Sequence, residues 1–142
     1  MLTQAEADAL LAAPKRFVSH PGALTLGIGA DQHHALLAGN REEFLLDLWR
    51  NSIRLSKIRL QTRARVIYPL ARLDIDGAPH TNPDGGQIGG THLHLYREGF
   101  EDRWAFPPGA GEFPRISDPA GALLDFCQFC KIQAVPVQAG LP

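Results

Sequence analysis

Between Lys57 and Arg65 the chain alternates, with Ile58 and Leu60 set between Lys57, Arg59, Gln61, Arg63 and Arg65. A period of two belongs to a strand that buries one face and wets the other. The extended run is expected to continue from Ile53 to Asp76. Ile53 and Leu55 have the opposite phase, which predicts a bulge or break near Ser56. Pro69 cannot donate a ladder bond, so it marks an edge, a bulge or a new strand. Ala71, Leu73 and Ile75 would face one way, and Leu70, Arg72 and Asp74 the other.

The segments around this run fit a sheet. Glu43–Arg50 reads as a strand, followed by a tight turn at Asn51-Ser52. Gly77–Gly89 is a loop by composition, with strong turn chemistry at Asn82-Pro83-Asp84-Gly85. Strands are expected at Gly90–Arg97 and Arg103–Phe106. Thr3-Gln4-Ala5-Glu6 fits a capping box, opening a helix that Pro14 ends. Ser117-Asp118-Pro119 is a cap followed by proline at the first helical position, and that helix runs to about Cys130 or Lys131. The Gly- and Pro-rich stretch between the first helix and Glu43 yields one short strand, near Leu24–Ile28. The expected fold is α+β, a single domain over residues 1–142. An antiparallel sheet of four to six strands would carry N- and C-terminal helices packed on it.

Composition limits the alternatives. The chain has 142 residues, 44% hydrophobic and 20% charged, enough for a core that needs no staple. No run approaches the roughly 20 apolar residues of a membrane span. The acidic N-terminus lacks a signal peptide's basic region. The expected location is therefore the cytoplasm of the producing or infected cell. Net charge is −1, yet the seven basic residues from Arg50 to Leu73 have no acidic neighbour in that stretch. Such asymmetry can mark a polyanion-binding face built from Arg54, Lys57, Arg59, Arg63 and Arg65. The bland reading is a solvated basic strand face. If that strand were an exposed edge, it would invite pairing with a second copy of the chain.

The residues that could carry chemistry cluster downstream. His92 and His94 share one face of a regular strand. If the strands flanking the loop pair, Arg72 and Asp74 come near them, with His80 in the connection. Three chemistries fit. His92 and His94 could hold a metal completed by Asp74 or His80. They could cleave RNA without a metal, one imidazole taking the 2′-OH proton, another protonating the leaving oxygen, and Arg72 or Arg97 clamping the phosphate. They could simply bond nearby carbonyls and stiffen a hairpin. The RNA-cleaving set is His92, His94, His80, Arg72 and Asp74, with no metal or cofactor and with Arg97 added to the basic RNA-binding face. Cys127 and Cys130 read as small core hydrophobes in an apolar helix. The alternative joins them to His92 and His94 in a zinc site. His33-His34 reads as a surface pair or a helix start. Trp49 and Trp104 read as core or rim, with Trp104 the better stacking candidate.

The string RLDIDGAPHTNPDGGQIGGTHLHLYREGFEDRWAFP resembles the signature of a small, poorly characterised bacterial domain family. Its members carry an Arg-x-Asp strand, a Pro-His-x-Asn-Pro-Asp-Gly loop and a His-x-His-x-Tyr strand. LTQAEADALL, FLLDLWRNSIRLSK and DFCQFC extend the likeness over nearly the whole chain. Such genes sit on mobile elements and beside defence loci. The order Arg-x-Asp, Pro-His, His-x-His is also similar to that of small toxins in toxin–antitoxin pairs, many of which are thought to cut RNA. On that likeness Arg72, Asp74, His80, His92 and His94 are the matching positions. This chain departs in having Gly90-Thr91 before His92, where Pro or Cys is usual. The resemblance implies a ribonuclease-like toxin or defence protein, with RNA and a cognate antitoxin or host protein as partners. The alternative is a non-enzymatic inhibitor from a mobile element that binds a host nucleic-acid-handling complex.

Overall fold

The computed structural model describes residues 1–133. In chain order the elements are α1 (Gln4–Ala12), β1 (Lys15–Phe17), β2 (Asp31–Ala38), β3 (Glu43–Arg50), β4 (Ile58–Ala64), β5 (Tyr68–Ile75), β6 (His80–Thr81), β7 (Gln87–Ile88), β8 (His92–Arg97), β9 (Glu101–Phe106) and α2 (Pro119–Phe129). Seven strands form one antiparallel sheet in the order β1-β2-β3-β4-β5-β8-β9, and β6 and β7 form a separate small hairpin.

This corrects the expected α+β class: the described chain is mostly β, 39% strand and 15% helix. The added strands come from residues 15–38. No strand forms over Leu24–Ile28, and β2 instead takes Asp31–Ala38, including His33 and His34, read as a surface pair or a helix start. His33 there points to Asp47 on β3, and His34 turns the other way, edge-on to Phe17. The extended run also divides. Residues 51–57 form a loop, and β4 turns into β5 through Arg65 and Val66, both at positive φ. Two positive-φ residues are what a tight right-twisting hairpin turn needs, but glycine or asparagine normally supplies them. The tail beyond residue 133 lies outside the described residues.

Strand alternation sorts side chains onto two faces. On one, Leu48, Leu60, Leu73 and Leu93 pair in a row across β3, β4, β5 and β8, and all four are buried. Both helices close this face. α1 is capped by Thr3 and Glu6 as a capping box, and its Leu10 joins the core with Leu123, Phe126, Cys127 and Cys130 of the C-terminal helix region. Both cysteines are fully buried, and burial pushes the Cys130 thiol up to about 11 and Cys127 higher still. They lie on the core side of the sheet, while His92 and His94 alternate away from Leu93 onto the other face. The zinc arrangement uniting the four residues is therefore ruled out.

Lys15 ties the two helix ends together. It is fully buried, and its Nζ donates to the carbonyls of Leu11, Ala13 and Cys130 at 2.9, 2.9 and 2.8 Å. Carbonyls at helix C-termini lack intrahelical donors, so one ammonium satisfies three of them. Burial lowers this amine to about 8. The folded protein therefore holds fewer protons than the unfolded chain between about pH 8 and 10.5, and stability gains a rising component across that window. Lys15→Met strands the three carbonyls and lowers the unfolding free energy by about 2–3 kcal/mol. Denaturant titration at pH 7 and pH 10 checks both effects, since the variant lacks the rise.

Candidate functional site

The second face of the sheet is polar. Its rows follow from register: His33, Asp47, Gln61, Arg72 and His94 pair in sequence across five strands, and Asp31, Trp49, Arg59, Asp74 and His92 form the next row. The alternation read around Lys57–Arg65 and the facing of Arg72 and Asp74 thus converge at β5 and β8.

The β6–β7 excursion folds over this end. Gly77 N–H donates to the Gly90 carbonyl at 2.9 Å, closing its base. The backbones approach so closely that a Cβ on Gly90 would lie 2.2 Å from the Gly77 oxygen, so glycine is required there. At the far end Asn82 pairs with the free edge of β9. Its Nδ2 donates to the Ala105 carbonyl at 2.9 Å, and its Oδ1 accepts from Ala105 N–H at 2.8 Å. An amide side chain thus stands in for a neighbouring strand and blunts the edge.

Beneath the excursion lies a buried charged network. Asp74 Oδ2 is 3.1 Å from His92 Nε2 and 3.4 Å from His94 Nε2, while Oδ1 is 3.3 Å from Nε of both Arg59 and Arg72. Arg72 also reaches His94 Nε2 at 3.0 Å and Asp102 at 3.1 Å. Burial pushes the Asp74 carboxyl up, but contact with His94 and the charges of Arg72, His94 and Arg59 outweigh it and hold the group at about 2.

The opposite ring nitrogens fix the tautomers of His94 and His80, whereas His92 faces an acceptor at each nitrogen, the Gly89 carbonyl and the Asp74 carboxylate. His92 Nδ1 faces the Gly89 carbonyl at 2.7 Å, His94 Nδ1 the Asp102 carbonyl at 2.7 Å, and His80 Nε2 the Arg103 carbonyl at 2.8 Å. A carbonyl accepts only from an N–H, so each of these nitrogens carries a proton. His92 and His94 are therefore engaged through both nitrogens, and their side chains are only 3% and 2% exposed. His80 is half-buried, and its Nδ1 has no protein partner among the described residues. The His80 ring packs 4.7 Å from His94 and 5.6 Å from His92.

A pocket of about 210 Å3 opens onto this cluster. It is lined by His80, His92, His94, Asp74 and Arg72, with Lys57, Arg59 and Trp49 at its rim. Sites for drug-sized ligands run to roughly 300–1,000 Å3, so this one has room for only a small ligand or part of a larger one. Lys57 and Arg59 lie over the Trp49 ring, at 6.0 and 5.7 Å from its centre.

Other members of the basic run form ion pairs away from the pocket, and the Arg54 and Arg65 side chains remain exposed. Arg54 pairs with Asp76, Arg63 with Asp47 and Arg65 with Glu42. Arg97 stacks on Trp104 at 5.1 Å, outside the pocket. Of the expected RNA-binding residues, the structure brings only Lys57 and Arg59 to the histidines. Two participants were not singled out as site residues from sequence: Asp102, which holds both Arg72 and His94, and Asn82, which pins the loop. Trp49, read as core or rim, borders the pocket. The Asn-Pro-Asp-Gly turn signals the loop's bend, but nothing local reveals which edge Asn82 reaches.

Among the described residues no helix is long and apolar enough to cross a membrane. The model of a family of unknown function (DUF6978) matches residues 2–132. Neither the curated proteins nor the solved structures contain a match.

Proposed function

The chain belongs to the DUF6978 family, whose function is unknown, so activity is argued from its own residues: we propose a metal-independent endoribonuclease, with the pocket under the β6–β7 excursion as its active site. The observation that carries the reading is the setting of His94. Its Nδ1–H is spent on a backbone carbonyl, leaving an Nε2 lone pair beside Arg72 and Asp74 in a pocket shared with His80. A buried carboxylate–imidazole–guanidinium network is costly as mere scaffolding, and perturbed groups in a cleft mark functional sites.

The roles follow from the bonds. An RNA phosphate entering beside Lys57 and Arg59 draws Arg72 from His94 and binds its guanidinium fork. His94 Nε2 then takes the 2′-OH proton, and Asp74 stabilises the imidazolium that forms. The 2′-oxygen bonds to phosphorus. The phosphorus–5′-oxygen bond breaks, and the leaving oxygen receives the Nδ1 proton of His80 in its imidazolium form. His92 braces Asp74. The products are a 2′,3′-cyclic phosphate and a 5′-hydroxyl. The likeness to toxin ribonucleases supports a growth-arresting role for this cleavage.

The test is purified protein on a labelled RNA and its 2′-deoxy counterpart, with chelator present. Cyclic-phosphate products from RNA and an intact 2′-deoxy strand are expected; cleavage of both strands, or of neither, contradicts the reading. The non-enzymatic alternative is favoured by one observation, the double engagement of His92 and His94. It predicts intact RNA and a stable complex with a host protein.

A further inference from the structure

We infer that Asp74 Oδ2, His92 Nε2 and His94 Nε2 form a site for a divalent transition-metal ion of the zinc class, and that its occupancy blocks RNA cleavage. The blocking half rests on the proposed ribonuclease reading; the binding half does not.

The three donor atoms lie within 4.8 Å of one another, with the carboxylate oxygen 3.1 and 3.4 Å from the two nitrogens. Bonds of about 2.0–2.2 Å around one ion place neighbouring ligand atoms roughly 3–3.6 Å apart. The carboxylate oxygen already stands at that spacing from both nitrogens. The surroundings are those of ligating histidines, which characteristically give their other ring N–H to a carbonyl or carboxylate. Here both do, to Gly89 and Asp102. Arg59 and Arg72 hold the other carboxylate oxygen, so Asp74 offers Oδ2 alone.

Two imidazoles and one carboxylate suit zinc, cobalt or nickel rather than calcium or magnesium, which demand oxygen. Three protein ligands leave a coordination position open to the pocket. The opposing term is charge, because Arg72 lies 3.0 Å from His94 Nε2. That guanidinium must swing away, retaining its contact with Asp102. A bound ion occupies the lone pair that His94 needs as a base, hence the block.

Cobalt titrated into the full chain tests the site by its visible absorption. One equivalent is expected to bind with tetrahedral or five-coordinate bands, lost in Asp74→Asn and kept in His33→Ala. No band at stoichiometric cobalt, or one lost in His33→Ala instead, overturns the site. Should Asp74→Asn not fold, the imidazole nitrogen resonances of the wild-type protein decide. Zinc should shift Nε2 of His92 and His94, and unshifted Nε2 resonances overturn the site. One equivalent of zinc should slow RNA cleavage at least tenfold, with chelator restoring it; faster cleavage overturns the block. Intact RNA with the cobalt bands present defeats the ribonuclease reading and the block, and leaves the metal site standing.

Discussion

Asp74→Asn lowers the unfolding free energy by about 3–5 kcal/mol, the usual effect of removing one partner from a buried ion pair. Two guanidinium groups and two imidazoles converge on this carboxylate, so its loss leaves their charge uncompensated on the sheet. The size of the effect depends on pH in a defined direction. The group sits at about 2 in the fold against an ordinary 3.8. The folded protein thus binds fewer protons at this site than the unfolded chain does. The stabilisation is fully present above about pH 4 and declines as pH falls toward 2. Denaturant titrations at pH 6 and pH 3 should show the wild type and the Asn variant converging at the lower pH. A constant gap would mean that the charge of Asp74 is not what stabilises the network. If the proposed cleavage runs through this site, the same substitution should abolish it, because no carboxylate remains beside the His94 base.

His80→Ala separates chemistry from stability. The His80 ring is half-buried and holds one hydrogen bond, to the Arg103 carbonyl, so its loss costs about 1 kcal/mol or less. Removing a general acid reduces the rate by roughly 10²–10⁴-fold. In the proposed reaction His80 protonates the leaving oxygen, so the loss is expected in the rate of cleavage. Arg97→Ala provides the contrast. Arg97 stacks on Trp104 outside the pocket, so cleavage should be unchanged. An equal loss in both variants would move the active site away from the histidines.

What is legible in the sequence is local and periodic. The phase of Arg72 and Asp74, set against that of His92 and His94, predicts their meeting once β5 and β8 pair, and the register supplies it as Arg72 with His94 and Asp74 with His92. Thr3 with Glu6, Asp118 with Pro119, and the Asn82–Gly85 turn are also local signals, each visible within four residues. What escapes is set by distant partners or by unusual backbone. Asp31–Ala38 carries alanine, leucine and histidine without a strand's enrichment, and it extends because β1 and β3 flank it. Arg65 and Val66 turn the chain with residues that rarely adopt positive φ. The basic run looks free because its carboxylate partners come from elsewhere, Asp47 from β3 and Glu42 from the loop before it. That pairing offsets part of the run's positive charge, and Lys57 and Arg59 are its members at the pocket rim.

The proposed reaction requires this pocket to receive an RNA sugar–phosphate. Nitrogen-resolved NMR of the protein titrated with a short 2′-deoxy oligonucleotide, which lacks the attacking hydroxyl, tests that binding. Shifts are expected at the Trp49 indole, the Arg59 and Arg72 Nε groups and the His80 ring. Shifts confined to Arg97 and Trp104, or none at any of these groups, would contradict it.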